Sequence, residues 1–102
     1  MWILVMFDLP TNTESERKSA SKFRKDLLTL GFNMAQYSVY TRYCVGKSKI
    51  DQYVKYVEEL LPAEGHVNVI LFTDKQYESM KSFRGSVYKR SENAPPDQAM
   101  LF

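Results

Sequence analysis

A chain of 102 residues with 44% hydrophobic and 25% charged content builds one domain with its own core, and that balance excludes wholesale disorder. The formal net charge of +2 names no partner, and a single cysteine, Cys44, excludes an internal disulfide and fits a reduced, cytoplasmic setting. No apolar run reaches the length that spans a bilayer, and no basic flank precedes the apolar N-terminal stretch as a signal peptide requires, so no membrane partner is expected.

Residues 2–8, Trp-Ile-Leu-Val-Met-Phe-Asp, read as a strand. Both faces are apolar, with Trp2, Leu4 and Met6 on one and Ile3, Val5 and Phe7 on the other, the pattern of a central strand covered on both sides. Leu9-Pro10 stops it, because proline cannot donate to a ladder and holds the preceding residue extended. Asp8 therefore stands at the carboxyl end of a buried strand, at the mouth of any cleft the sheet makes. Two readings of that carboxylate stand side by side: a divalent-metal ligand, or an Asx turn ahead of the proline.

A helix is expected over about 14–30. Thr13 and Glu16 form a capping box, Ala20, Phe23, Leu27 and Leu30 make the buried stripe, and Gly31 is the C-terminal stop. Lys18, Lys22 and Lys25 lie almost opposite that stripe, with Arg17 and Arg24 on its flanks. Residues 17–25 hold five cations and no acid. Such a cluster fits either a solvated helix face or a phosphate-bearing partner.

The β-branched and aromatic residues of 34–45 predict extended chain. That is long for one straight strand, so a hairpin within 33–46 is expected. Alternation puts Gln36, Ser38, Tyr40 and Arg42 on one face. A second helix follows over 49–61, capped by Ser48 with Asp51 and buried through Ile50, Tyr53, Val54, Val57, Leu60 and Leu61; Pro62 ends it. Residues 66–73 form the next strand, with His66, the only histidine, read as structural. A fourth strand is expected within 77–84. Residues 91–97 read as a linker, and 98–102 as a short apolar terminal strand.

These elements predict an α+β, ferredoxin-like (βαββαβ) sandwich over residues 1–90 with an additional C-terminal strand. Two helices cover only one face of such a sheet, yet strand 1 is apolar on both. The open face implies a homodimer packed through it, and the terminal strand is placed to pair with the partner protomer's sheet edge.

Phe7-Asp8-Leu9-Pro10-Thr11, then Glu16-Arg17-Lys18 and Phe23-Arg24-Lys25, then Gly31-Phe32 before Gln36-Tyr37-Ser38-Val39-Tyr40, and finally Thr73-Asp74-Lys75-Gln76-Tyr77 occur in order. Together they resemble the small CRISPR-associated adaptation protein, the smaller of the two proteins common to spacer acquisition, in its type II-like form. The resemblance covers residues 2 to about 85, more loosely the tail. It implies a symmetric ferredoxin-like dimer, and a CRISPR-associated endoribonuclease or endonuclease using Mg²⁺ on RNA or double-stranded DNA. It also implies a dimer that bridges CRISPR integrase dimers and holds protospacer DNA. Carried onto this chain, the metal-binding and catalytic aspartate is Asp8, Arg17 is a phosphate contact, and Tyr40 matches an aromatic position sometimes implicated in activity, with core packing as its other and favoured role. Phe7 stands where many members carry tyrosine.

Two functions follow. In one the dimer is a scaffold along duplex DNA, with Arg17, Lys18, Lys22, Arg24, Lys25 and Arg42 contacting the backbone without reading sequence. In the other it is a metal-dependent nuclease centred on Asp8. An RNA-recognition module on the same fold is weaker, since strand 66–73 offers Phe72 without a Gly-aromatic signature.

Overall fold

The computed structural model describes residues 1–85. Its elements are β1 (Trp2–Asp8), α1 (Glu14–Thr29), β2 (Asn33–Gln36), β3 (Val39–Tyr43), α2 (Lys47–Glu59), β4 (His66–Phe72) and α3 (Asp74–Glu78). The sheet order is β2-β3-β1-β4 with every neighbouring pair antiparallel. This is the ferredoxin-like sheet, and β1 is central as its two-sided apolar pattern demands. Among the described residues no helix is long and apolar enough to cross a membrane.

Ile3, Val5 and Phe7 point to the helical layer, where they meet Phe23 and Leu27 of α1 and Ile50 and Val57 of α2 in one buried cluster. Phe7 is edge-on to Phe23 with ring centroids 5.1 Å apart, an arrangement the ring quadrupoles favour. The Thr13–Glu16 capping box forms as read, with the Thr13 hydroxyl accepting from the Glu16 amide and the Glu16 carboxylate accepting from the Thr13 amide. At the other end of α1 the Phe32 amide donates to the Leu27 carbonyl and the Gly31 amide to that of Leu28, both at 3.0 Å. That is a Schellman closure, and it works because Gly31 takes φ +88.

Residues 33–46 fold as the expected hairpin β2–β3, turned by Tyr37 and Ser38. Two expectations change. The second helix begins at Lys47 after Gly46, and no side chain caps it, so Ser48 and Asp51 lie inside the helix and not at its cap. The segment 77–84 holds no strand: Thr73 and Gln76 form a second capping box and the chain turns into α3. The proline-rich linker of 91–97 and the strand of 98–102 lie outside the described residues.

That short helix also alters the open sheet face. Tyr77 stacks on Trp2 at 4.0 Å and lies parallel to Phe72 at 5.8 Å, covering one end of the sheet. Asp74 accepts from the Tyr43 hydroxyl at 3.2 Å and pairs with the Met1 amine at 3.4 Å. The Asp74 carboxylate raises the Tyr43 pKa above its ordinary value, first through this hydrogen bond and then through its charge. The rest of the face stays open, with Met6 at 37% and Ile70 at 43% exposure.

Gly65 positions β4. Its φ is +101, and a Cβ there would lie 2.8 Å from the Asp8 carbonyl oxygen and 2.8 Å from the Leu9 Cδ2. Gly46 has a similar φ of +86 but open space around it. Gly65→Ala is therefore expected to lower the melting temperature by about 10 °C, from roughly 2 kcal/mol of backbone strain plus the displaced Asp8–Leu9 backbone. Gly46→Ala carries only the strain and should cost visibly less. Equal losses in thermal denaturation would remove the close approach as a cause.

Candidate functional site at the end of the central strand

Alternation along β1 decides which residues share a face. Asp8 follows Met6 and Leu4 onto the open, helix-free side, where its side chain is exposed. Among the described residues no hydrogen bond or ion pair engages its carboxylate, so the Asx-turn reading has no bond to support it. The strand stops there as Leu9-Pro10 requires, and the loop rises to the capping box of α1.

The sheet brings a second polar side chain to this carboxylate. β4 runs antiparallel to β1 and Asp8 pairs directly with His66. Residues opposed in this way point to the same face, with Cβ atoms about 4.5–5.5 Å apart. His66 is exposed and belongs to no core cluster, so it is not the structural histidine its place at a strand start had implied. The signal was faint: a glycine directly before the strand, and the rule that a ferredoxin-like sheet begins its last strand beside the end of its first.

Tyr40 is a correction. It pairs with Val5, on the helix-covered side, and is 3% exposed. Its ring lies nearly parallel to that of Phe7 at 5.7 Å. One sheet thickness separates it from Asp8, so it is a core residue and not an active-site aromatic.

Arg42 is a second correction. It pairs with Ile3, again on the helical side. Its Nε donates to the Leu30 carbonyl at 2.9 Å, which satisfies a C-terminal carbonyl of α1. Its two terminal nitrogens donate to the Tyr43 carbonyl at 2.8 Å and the Tyr53 hydroxyl at 2.9 Å, and the guanidinium lies 3.9 Å above the Tyr53 ring. This cation staples α1, β3 and α2, and its bonds and ring contact hold it in the helical layer. Arg42→Ala is expected to destabilise the fold by about 2 kcal/mol in urea denaturation, because it orphans acceptors as well as removing a cation–π contact, and Arg42→Lys should restore only part of that. A variant of unchanged stability that bound DNA poorly would return Arg42 to the interface.

Arg17, Lys18, Lys22 and Lys25 of α1 are exposed, whereas Arg24 is half-buried with its Nε enclosed and making no hydrogen bond. Lys18 pairs with Glu14 at 3.6 Å and Lys22 with Asp26 at 2.8 Å, both i,i+4 pairs at the surface that a phosphate displaces at little cost. Arg17 donates to the Thr11 carbonyl at 3.1 Å, which aims it at the loop leaving Asp8. Lys25 is exposed. The Arg24 guanidinium sits 5.3 Å from the Tyr37 ring centroid, at the β2–β3 turn. That turn reaches β1, since the Phe7 amide donates to the Ser38 carbonyl at 3.1 Å.

The βαββαβ fold and the sequence that builds it have known counterparts. The family profile described as CRISPR associated protein Cas2 covers residues 1–80, most of the chain. This chain belongs to the Cas2 family. A relative from Paracidovorax avenae, named CRISPR-associated endoribonuclease Cas2, is 49% identical over 100% of this chain and 94% of its own length. Relatives of the same name from Flavobacterium psychrophilum, at 44% identity over 98% of this chain and 85% of theirs, and from Parvibaculum lavamentivorans, at 41% over 100% of both chains, extend the match. The crystal structure of Streptococcus pyogenes Cas2 at pH 6.5 superposes with a TM-score of 0.61, covering 82% of this chain and 100% of that one at 17% identity. At that identity the likeness bears on the fold, and it is the Cas2 fold.

Proposed function

We propose that this protein acts in CRISPR adaptation as a homodimer that binds duplex DNA and bridges integrase dimers, and that it cleaves phosphodiesters with Mg²⁺ at Asp8. The observation that carries this reading is the free Asp8 carboxylate at the edge of an uncovered apolar sheet face. A face holding Leu4, Met6 and Ile70 is suited to a second copy. Two protomers joined there bring two such aspartates to one assembly.

Asp8 fits a Mg²⁺ ion. That cation is held by one or two carboxylates, with water and substrate phosphate completing its octahedron. When bound, the ion supplies charge neutralisation at the phosphodiester and a more acidic water. Asp8 anchors it, and Arg17, held over the neighbouring loop, orients the backbone of the bound strand. Among the described residues no cluster of three or more potential ligands occurs, and in this reading substrate and partner complete the site.

A reading weighted toward RNA cleavage is favoured by the name endoribonuclease carried by the relatives. Both readings use the same carboxylate. They differ in whether the α1 cations track a duplex.

The scaffold role is tested by salt. Arg17, Lys18, Lys22, Arg24 and Lys25 offer five backbone contacts per protomer, which predicts a slope of log affinity against log salt of about −4.5 for each α1 face engaged. Binding of a protospacer-length duplex measured across a salt series should give that slope, and Lys22→Ala with Lys25→Ala should flatten it by about 2. A response already flat in the unaltered protein would remove α1 from the interface.

A further inference from the structure

We propose that His66 is a metal donor beside Asp8, so that the site is an oxygen–nitrogen pair and selects Mn²⁺ and the later first-row divalent cations over Mg²⁺. The inference rests on the reading of Asp8 as a metal residue and adds a ligand to it.

Three observations carry it. The Asp8–His66 register places the two side chains opposite one another on the same face of adjacent strands. Both are exposed, and among the described residues neither has a hydrogen-bond or ion-pair partner that would hold it away from a shared ion. The pairing is also anchored: Gly65 takes φ +101 and brings its backbone against the Asp8 carbonyl so closely that no Cβ would fit, at the residue directly before His66. The chain uses a conformation that L side chains disfavour to begin β4 at this point. No apolar contact of His66 accounts for it, since His66 lies outside the core cluster.

The donor set decides the metal class. Carboxylate and water suit Mg²⁺, whereas an imidazole nitrogen adds affinity along the series from Mn²⁺ through Co²⁺ to Ni²⁺ and Zn²⁺. A two-donor site leaves several coordination positions for water and for the phosphate oxygens of a bound strand, so it stays weak until substrate arrives. His66 is the chain's only imidazole. A nitrogen signal on a bound metal therefore has one source in untagged protein.

The test uses the untagged full chain with Mn²⁺ as the probe. Free Mn²⁺ is read by its electron paramagnetic resonance signal, and bound Mn²⁺ by electron spin-echo modulation from ¹⁴N. The unaltered protein is expected to bind Mn²⁺ at least about tenfold more tightly than Mg²⁺ and to show imidazole nitrogen modulation. His66→Gln should abolish the nitrogen signal and weaken Mn²⁺ by at least about tenfold, the lower end of what even an outer-sphere partner contributes to a metal site. Its Mg²⁺ affinity should stay the same. Asp8→Asn should lose both ions. If His66→Gln left Mn²⁺ binding unaltered while Asp8→Asn abolished it, His66 would be excluded and the Asp8 reading would stand. If Asp8→Asn bound Mn²⁺ normally, or the unaltered protein bound neither ion, the paired site and the Asp8 reading would fall together. His66 is exposed, and a melting temperature for His66→Gln within a degree or two of the unaltered protein establishes that a loss of metal is local.

Discussion

Asp8→Asn is expected to reduce metal-stimulated phosphodiester cleavage by at least about 100-fold, the scale of loss that follows removal of one charge-stabilising group from a reacting centre. The substitution keeps the shape of the side chain and removes its charge, and a neutral amide is a poor ligand for a hard cation. Nothing else should change. The carboxylate is exposed and unpaired among the described residues, so its loss orphans no buried partner. Dimer mass, duplex binding and melting temperature should match those of the unaltered protein. The same variant sorts the two biological readings. Normal spacer acquisition by Asp8→Asn assigns the protein to scaffolding, and acquisition lost with cleavage makes hydrolysis part of the process. Cleavage that survives the substitution belongs to another site or a contaminant.

Leu4→Lys is expected to dissociate the proposed homodimer. Leu4 lies mid-strand on the open face, paired with Thr41 on one side and Ile70 on the other. In a protomer alone, a lysine there reaches water along its stem. In a face-to-face dimer its ammonium would be desolvated without a partner, at a cost of several kcal/mol. A cost of about 3 kcal/mol raises the dissociation constant roughly 100-fold, which sedimentation reads as a halved mass at micromolar protein. Leu28→Lys is the control, since Leu28 is 52% exposed on α1, away from that face. A Leu4→Lys dimer of unchanged affinity would move the interface elsewhere.

The parts of the fold that could be read from residues were those governed by neighbours in sequence. The helical stripe Ala20, Phe23, Leu27 is buried as its spacing requires. The Thr13–Glu16 box formed, because a cap is decided within four residues. The same physics explains a failure. Thr73-Asp74-Lys75-Gln76 carries the same capping signature, and it starts a helix that runs into the segment 77–84 where a strand is expected. Local capping outweighed β propensity, and Tyr77 then found Trp2.

The candidate site divided along the same line. Asp8 could be read, because an apolar strand ending in a carboxylate ahead of proline is a statement about consecutive residues. Arg42 was misjudged, and Tyr40 was left between packing and activity, because the value of each depends on which face of the sheet the hairpin presents. A two-residue turn at Tyr37 and Ser38 sets the parity of β3, and one residue of register moves every side chain to the other side. Both landed among the helices, Tyr40 in the core and Arg42 on the end of α1.

By itself, then, the order of residues determined the family, the βαββαβ succession, the central place of β1 and the position of its terminal aspartate. Only the tertiary structure decided what surrounds that aspartate. It set His66 opposite Asp8 across the β1–β4 ladder, withdrew Arg42 into the helical layer, and laid α3 over one end of the open face. The physical reason is that periodicity tells which residues of a strand share a face. Which residues meet across strands follows from register, and register depends on turns and backbone contacts such as that of Gly65 with the Asp8 carbonyl, whose partners lie far apart along the chain.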